Sequence, residues 1–327
     1  MTDLTVKQLR EIKRLHDLWL NDDPDGKRAI LTGVDLHNAD LRNADLRRAD
    51  LRSVVLRNAD LRNADLRRAD LRRADLTGAD LHNALLTSAD LRNADPAYAN
   101  LREAVLRNAD LNGADLHNAV LTSADLRNAD LRSVVLRNAV LNGADLRNAD
   151  LAYANLRNAD LTSADLREAD LHNAVLTSAN LHNADLTSAN LREAILRNAD
   201  LTSANLREAD LTGADLRNAV LTGADLRDAV LSTDTRFSDA ILTEVIGLIW
   251  AQIGPVGIGP RTTTAVWQDG HTIHHAGCFI GTRSDYMSSI ENNEWEWPED
   301  QKTELAVRCR TSIQLCESTI REWLVAC

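Results

Sequence analysis

Aromatic side chains are scarce: Phe, Trp and Tyr make up 3% of the 327 residues. Five of the six tryptophans (Trp250, Trp267, Trp295, Trp297 and Trp323) stand after residue 231. Whatever occupies the middle of the chain therefore has a core of small aliphatic side chains. Long apolar runs are missing too, so no membrane span is expected. The first twenty residues are too charged for a secretory signal, which makes a cytoplasmic protein the expectation. Positive charge is in deficit, with 37 Lys and Arg against 49 Asp and Glu and a net charge of −12. That balance argues against unaided binding to nucleic-acid phosphates or anionic membranes.

Cysteine is absent until Cys278, followed by Cys309, Cys316 and Cys327. The last three share one predicted helix, in which Cys309 and Cys316 stand about 10 Å apart, beyond disulfide reach. Reduced thiols packed as small apolar groups are expected. Chemistry-bearing motifs are missing as well. The chain has no nucleophile with a base, no glycine-rich phosphate loop and no dinucleotide fingerprint. His271, His274, His275 and Cys278 form the one cluster of metal-ligand types. On a strand, however, His274 and His275 take opposite faces, and no Cys-x-x-Cys accompanies them. Neither metal, cofactor nor enzymatic activity is expected.

What the sequence does have is a repeat. From Leu31 to Leu231 every fifth residue is Leu, 41 positions broken only by Pro96. Ala stands two residues before each, replaced only by Val34, Val54 and Val134. The residue between them is Asp 25 times, Asn five times and aliphatic eleven times. A period of five fits neither a helix at 3.6 nor a strand at 2, and a continuous helix would spread Leu all round its axis. A chain that turns a corner every five residues and closes a coil after twenty satisfies the pattern. Each side sends one Leu and one Ala inward and leaves three residues to water. Backbone groups then pair between coils at about 4.8 Å, so ten coils make a rod of roughly 50 Å.

Motifs such as Ala39-Asp40-Leu41-Arg42-Asn43 and Ala159-Asp160-Leu161-Thr162-Ser163 resemble the consensus of the pentapeptide-repeat family. The resemblance covers about three fifths of the chain and implies a mainly β fold, a right-handed quadrilateral parallel β-helix. Some relatives, among them proteins of quinolone resistance, resemble DNA in shape and charge and bind type II topoisomerases. The segment from Ile253-Gly-Pro-Val-Gly to Ala276-Gly-Cys-Phe-Ile-Gly-Thr282 resembles a C-terminal module of some phage and bacterial pentapeptide-repeat proteins, which hints at such an origin.

A solenoid exposes its core at both ends and needs caps. Val6, Leu9, Ile12, Leu15, Trp19 and Leu20 predict an amphipathic helix over residues 4–20, stopped by the turn-rich residues 21–26. Residues 1–28 are thus read as an N-terminal helix cap and turn, and 29–244 as the repeat rod. Within the rod the register shifts by one after Leu231, with Phe237 and Leu242 as its last inward positions. Residues 245–327 read as a small α+β domain: an apolar segment, a hairpin around Gln268-Asp269-Gly270, a short helix near Tyr286 and a long helix carrying the late cysteines. The apolar stretch 240–253 is open either to packing within the chain or to self-association.

Function is expected on the surface. One side of the coil carries Arg47, Arg67, Arg107, Arg127, Arg147, Arg167, Arg207 and Arg227. The next carries Asp50, Asp70, Asp90, Asp110, Asp130, Asp150, Asp170 and Asp210. The two columns are read as opposite charges offsetting each other across one corner. Aliphatic residues stack where Asp is usual: Leu85 with Val105, Val120 with Val140, and Val175 with Ile195. These strips are candidate docking sites. The leading expectation is a non-catalytic scaffold for a protein partner, with self-association through the C-terminal domain open. The alternative is a DNA-mimicking modulator of a type II topoisomerase. Against that alternative, 24 basic residues interleave with 30 acidic ones between 31 and 231. Pro96 is expected to cost one inter-coil bond as a local distortion, the other reading being a bend or binding notch.

Overall fold

The structure is a computed structural model. It describes residues 5–232, 234–243 and 245–246, together with the backbone of four later strands. The described chain divides into two units, one of residues 1–231 and 235–244, the other of residues 232–234 and 245–327. Among the described residues, no helix is long and apolar enough to cross a membrane.

The first unit opens with helix α1, Val6–Leu20. Thr5 caps it: its hydroxyl accepts from the Gln8 N–H, and the Gln8 side chain accepts from the Thr5 N–H, a reciprocal capping box. The apolar stripe leaves out His16, which among the described side chains of the helix is the one that is fully buried. Its Nδ1 accepts the Ala29 N–H at 3.0 Å, and its ring stacks on Trp19 at 5.4 Å. Lys27 N–H also donates to the Leu15 carbonyl at 2.8 Å. These bonds hold α1 against the start of the first coil, where Leu31 and Leu46 are at most 1% exposed although no coil precedes them.

The coil follows from a bond-by-bond count of one pentapeptide, Ala124-Asp125-Leu126-Arg127-Asn128. Ala124 N–H closes a four-residue turn onto Leu121 O at 3.0 Å. Asp125 N–H donates to Ala104 O in the coil before at 2.9 Å, and Leu126 N–H to Asp145 O in the coil after at 2.7 Å. Asn128 N–H donates to Arg147 O at 3.0 Å. The remaining Arg127 N–H donates to the Asp125 side chain, Oδ1, at 3.3 Å. All five donors are thus satisfied, one by a carboxylate two residues back, which is an Asx turn. Parallel bridges join the Asp-position residues to those twenty further on, from Ile30 with Asp50 to Asp210 with Val230, with one gap at Asp95. Leu and Ala face inward, nearly all of them at most 2% exposed. The Asp position, expected to face water, is half-buried along most of the rod.

A second regularity lies at the residue two after each Leu. From Gly33 to Asp228 every one of these corner residues has φ between +52° and +69°. This left-handed conformation favours Gly and Asn and penalises branched side chains. The sequence obeys it: the corner holds Gly, Asn, Ser, Asp, Glu, Arg and Tyr, never Val, Ile or Thr. Between Leu31 and Leu231 Thr is confined to the position before, where Thr162 precedes Ser163 and Thr187 precedes Ser188.

Pro96 sits buried in the Leu column. The regular bond from this position to the next coil is lost, and with it the bridge between Asp95 and Asp115. Its neighbours hold: Tyr98 N–H donates to His117 O at 3.0 Å and Asp115 N–H to Ala94 O at 3.0 Å. The effect is confined to one bond. After Leu231 the bridges shift by one, Asp215 with Arg236 and Val220 with Ile241, and Phe237 and Leu242 are 8% and 5% exposed. Thr235 fills an Ala position there, 1% exposed, with its hydroxyl donating to Leu211 O at 2.9 Å.

In the second unit, strands β1 (Ile249–Pro255), β2 (Thr262–Gln268), β3 (His271–Ala276) and β4 (Phe279–Thr282) form an antiparallel sheet in chain order. Part of the apolar stretch 240–253 is therefore a strand, pairing Trp250 with Val266. β2 and β3 form a hairpin pairing Gln268 with His271, and β3 places His274 and His275 on alternate faces. Cys278 and the helices expected after residue 282 lie outside the described residues.

The corner geometry carries a test. At Asn173, φ +56°, Asn173→Val is expected to lose about 1–2 kcal/mol in chemical denaturation, while Asn173→Gly stays near the parent. Equal stabilities would contradict a left-handed corner.

Candidate interaction surface

The charged columns pair differently from the sequence expectation. Arg47 does not reach across the corner to the Asp50 column. It binds its own Asp45 at 2.6 Å and Asp65 of the next coil at 3.6 Å. The same arrangement repeats along that side as a chain of alternating charge. Arg107 reaches Asp125; Arg127 joins Asp125 to Asp145, Arg147 joins Asp145 to Asp165, and Arg167 joins Asp165 to Asp185. Arg67 binds Asp65 and Arg227 binds Asp225, while Arg207 bonds only through its backbone to Asn205 Oδ1. The cause is local: the Asx turn that fixes Asp at one position aims its free oxygen at the side chain two residues on.

The Asp50 column has its own arginines. Asp50, Asp70, Asp90 and Asp130 each take both Nε and Nη2 of Arg52, Arg72, Arg92 and Arg132. Arg92 and Arg132 reach on to Asp110 and Asp150 at 3.2 and 3.6 Å. Asp170 instead meets His172 Nδ1 at 2.8 Å and accepts from Asn190 Nδ2 at 2.9 Å, while Asp210 accepts the Thr212 N–H. Only the last two lack an arginine. Most of the acidic column is therefore neutralised in place.

The aliphatic strips sit where expected: Leu85 bridges Val105, Val120 bridges Val140, and Val175 bridges Ile195, and all six are half-exposed. Such a residue cannot make the Asx turn. All thirty Asp and Asn at this position accept the N–H two residues on, whereas the eleven aliphatics leave it without that acceptor. Where the residue two on is arginine the aliphatic also forgoes an ion pair, so Arg107 and Arg197 reach to the coil after, to Asp125 and Asp215.

Two tyrosines went unremarked in the sequence. Tyr98 and Tyr153 are 59% and 60% exposed. Each meets a histidine of the next coil edge-on at 4.9 Å, Tyr98 with His117 and Tyr153 with His172. The recurring Ala-Tyr-Ala-Asn, at 97–100 and 152–155, was the available signal.

The pentapeptide-repeat profile matches the chain in eight copies, over residues 29–68, 64–95, 99–138, 129–167, 154–192 and 194–232. The chain belongs to the pentapeptide-repeat family. Among solved structures it is similar to HetL, a pentapeptide repeat protein involved in heterocyst differentiation regulation from the cyanobacterium Nostoc sp. strain PCC 7120. The two are 32% identical over 75% of this chain and 95% of HetL, with a TM-score of 0.41. It is also similar to Rfr23 from the cyanobacterium Cyanothece 51142, 38% identical over 30% of this chain and 63% of that one, TM-score 0.25. The fluoroquinolone resistance protein QnrB1 is 17% identical over 52% of this chain and 87% of its own, TM-score 0.22. No curated protein sequence matches significantly. The family match ends at residue 232, so the resemblance seen in the segment 253–282 finds no support there.

The ion pairs predict acid sensitivity. Burial pushes the Asp125 carboxyl up, but hydrogen bonds from Arg127 and Arg107 outweigh it and hold the group at about 2. Asp50 is held at about 2, chiefly by Arg52 and against burial. Both lie below the ordinary carboxylate value, so their contribution is complete above about pH 4 and lost as pH falls towards 2. The melting temperature by circular dichroism is expected to be flat from pH 7 to 5 and to fall below pH 4. Asp125→Asn, which keeps the Asx acceptor but not the charge, should flatten that fall. An unchanged profile would mean the pairs contribute nothing.

Proposed function

We propose that the chain is a non-catalytic protein-interaction scaffold, built on a right-handed quadrilateral β-helix. The observation that carries the reading is the aliphatic substitution of the Asp position in stacked pairs. Every aliphatic there gives up an Asx-turn hydrogen bond, worth about 0.5–1.5 kcal/mol, and Val105 and Ile195 also leave Arg107 and Arg197 without a carboxylate two residues back. The six that stack in twos on an otherwise polar wall offer a partner desolvatable surface that fold stability does not call for. Along the rod most of the arginines already carry a counter-ion, although Arg102 and Arg157 have none among the described residues, and apolar contact is the chemistry that the three strips share.

A DNA-mimicking face is the weaker reading, because a phosphate-like strip needs uncompensated acid and six of the eight aspartates of the Asp50 column are bound by arginine. Supercoiling by gyrase is expected to be unaffected by micromolar protein. Inhibition, or drug protection that weakens when the Asp50 column is converted to Asn, would reverse this ranking.

For the scaffold, the test exploits the repeat itself. Converting a strip to the consensus, as in Val120→Asp with Val140→Asp, restores two Asx turns and should leave the melting temperature equal or higher. The same change at Leu85 with Val105, or at Val175 with Ile195, gives two further variants. Quantitative affinity capture with the full chain is expected to lose a partner with one of the three. Identical captured proteins across all variants would remove the strips from the reading.

A further inference from the structure

One corner of the coil is unlike the other three. The left-handed residue that recurs at Arg48, Arg68 and every twentieth position beyond forms a column on the outside of the rod, continued at its start by Arg28. Arg28, Arg48 and Arg68 occupy its first coils, and Glu168, Glu208 and Asp228 its last. Ser88, three asparagines and Ser188 make up the rest. The remaining three corners together carry only Arg73, Glu103 and Glu193. Charge is thus concentrated on one line and sorted by sign along it.

All six charged residues are exposed. Among the described residues none of them has an ion-pair partner. Arg28 Nε donates to the Arg48 carbonyl at 2.6 Å, and the Ser188 hydroxyl donates to Glu208 Oε2 at 3.0 Å. Both bonds run along the column, joining successive coils. The flanking arginines Arg47, Arg67, Arg127, Arg147, Arg167 and Arg227 are engaged by their own aspartates. Apart from Arg207, which has no ion pair among the described residues, the corner therefore holds the uncompensated charge of that side. Three like charges about 5 Å apart repel, so the sorting works against the single rod.

We propose that this corner is the contact between two copies of the chain lying side by side and antiparallel. A two-fold axis at Asn128 sets Arg28 against Asp228 and Arg48 against Glu208, and does so twice by symmetry. Asn108 then faces Asn148, and Ser88 faces Glu168. Sliding by one coil sets Arg48 against Asp228 and Arg68 against Glu208, so charge fixes the direction and leaves the register to neighbouring contacts. A parallel pair would set arginine on arginine and glutamate on glutamate. The interface is self-complementary, as a two-fold contact requires, and its opposite charges meet only in the antiparallel sense. It uses the rod alone and is distinct from the aliphatic strips, so it stands or falls separately from the scaffold reading.

The experiment measures mass by sedimentation for the full chain at tens of micromolar and low salt. The parent is expected to be dimeric and to dissociate as ionic strength rises, since exposed pairs are screened. Arg48→Glu with Arg68→Glu leaves Arg28 as the column's one base; Glu168→Arg with Glu208→Arg leaves Asp228 as its one acid. These side chains already occur at equivalent corners, so both variants should fold, which circular dichroism checks. Each alone is expected to dissociate at least tenfold more readily than the parent, whereas an equimolar mixture of the two should form a heterodimer. A monomeric parent overturns the proposal. So does a dimer indifferent to both variants, which would place association elsewhere, or a mixture that stays monomeric.

Discussion

Each pentapeptide has five backbone N–H groups and only two neighbouring coils to receive them. Three go to those coils and one closes the turn onto the preceding Leu. The fifth has no carbonyl within reach, and the rod depends on the carboxylate or amide that accepts it from two residues back. This bond explains why Asp or Asn fills a position whose burial would favour a hydrocarbon. It also fixes the carboxylate's orientation, and the ion-pair chains follow from that. Charge pairing here is a by-product of satisfying the backbone.

The coil was legible because its cause is periodic. Leu at every fifth residue and Ala two before it can be buried together only by a chain that turns at that period, so the inward faces and the slip after Leu231 could be read directly. The wall was read less well. Spacing alone put Arg47 and Asp50 on adjoining sides and suggested that they offset each other, but pairing depends on where the Asx turn aims the carboxylate, a torsional fact. The left-handed corner left a trace in the exclusion of Val, Ile and Thr, visible only once that position is considered apart from its neighbour. His16 escaped notice because a hydrophobic stripe does not include a histidine that acts as an acceptor. Its burial lowers its affinity for a proton, which keeps Nδ1 available to Ala29.

The candidate surface was partly legible for the same reason. Stacked aliphatics stand out against a strict consensus, and their positions were read correctly by counting in twenties. What counting could not supply was their energetic meaning, which needs the hydrogen bond that each one forgoes. Tyr98 and Tyr153 required the coil itself, since their histidine neighbours lie nineteen residues on in the sequence.

A ladder of this kind has no intrinsic length, because every coil presents to the next the same row of donors and acceptors that it received from the one before. Helix α1 matters for that reason. By placing His16 and the Leu15 carbonyl over the first coil, it acts as a stopper on a template. Without it the opening coil would present to other molecules the kind of bare strand edge from which fibrils grow.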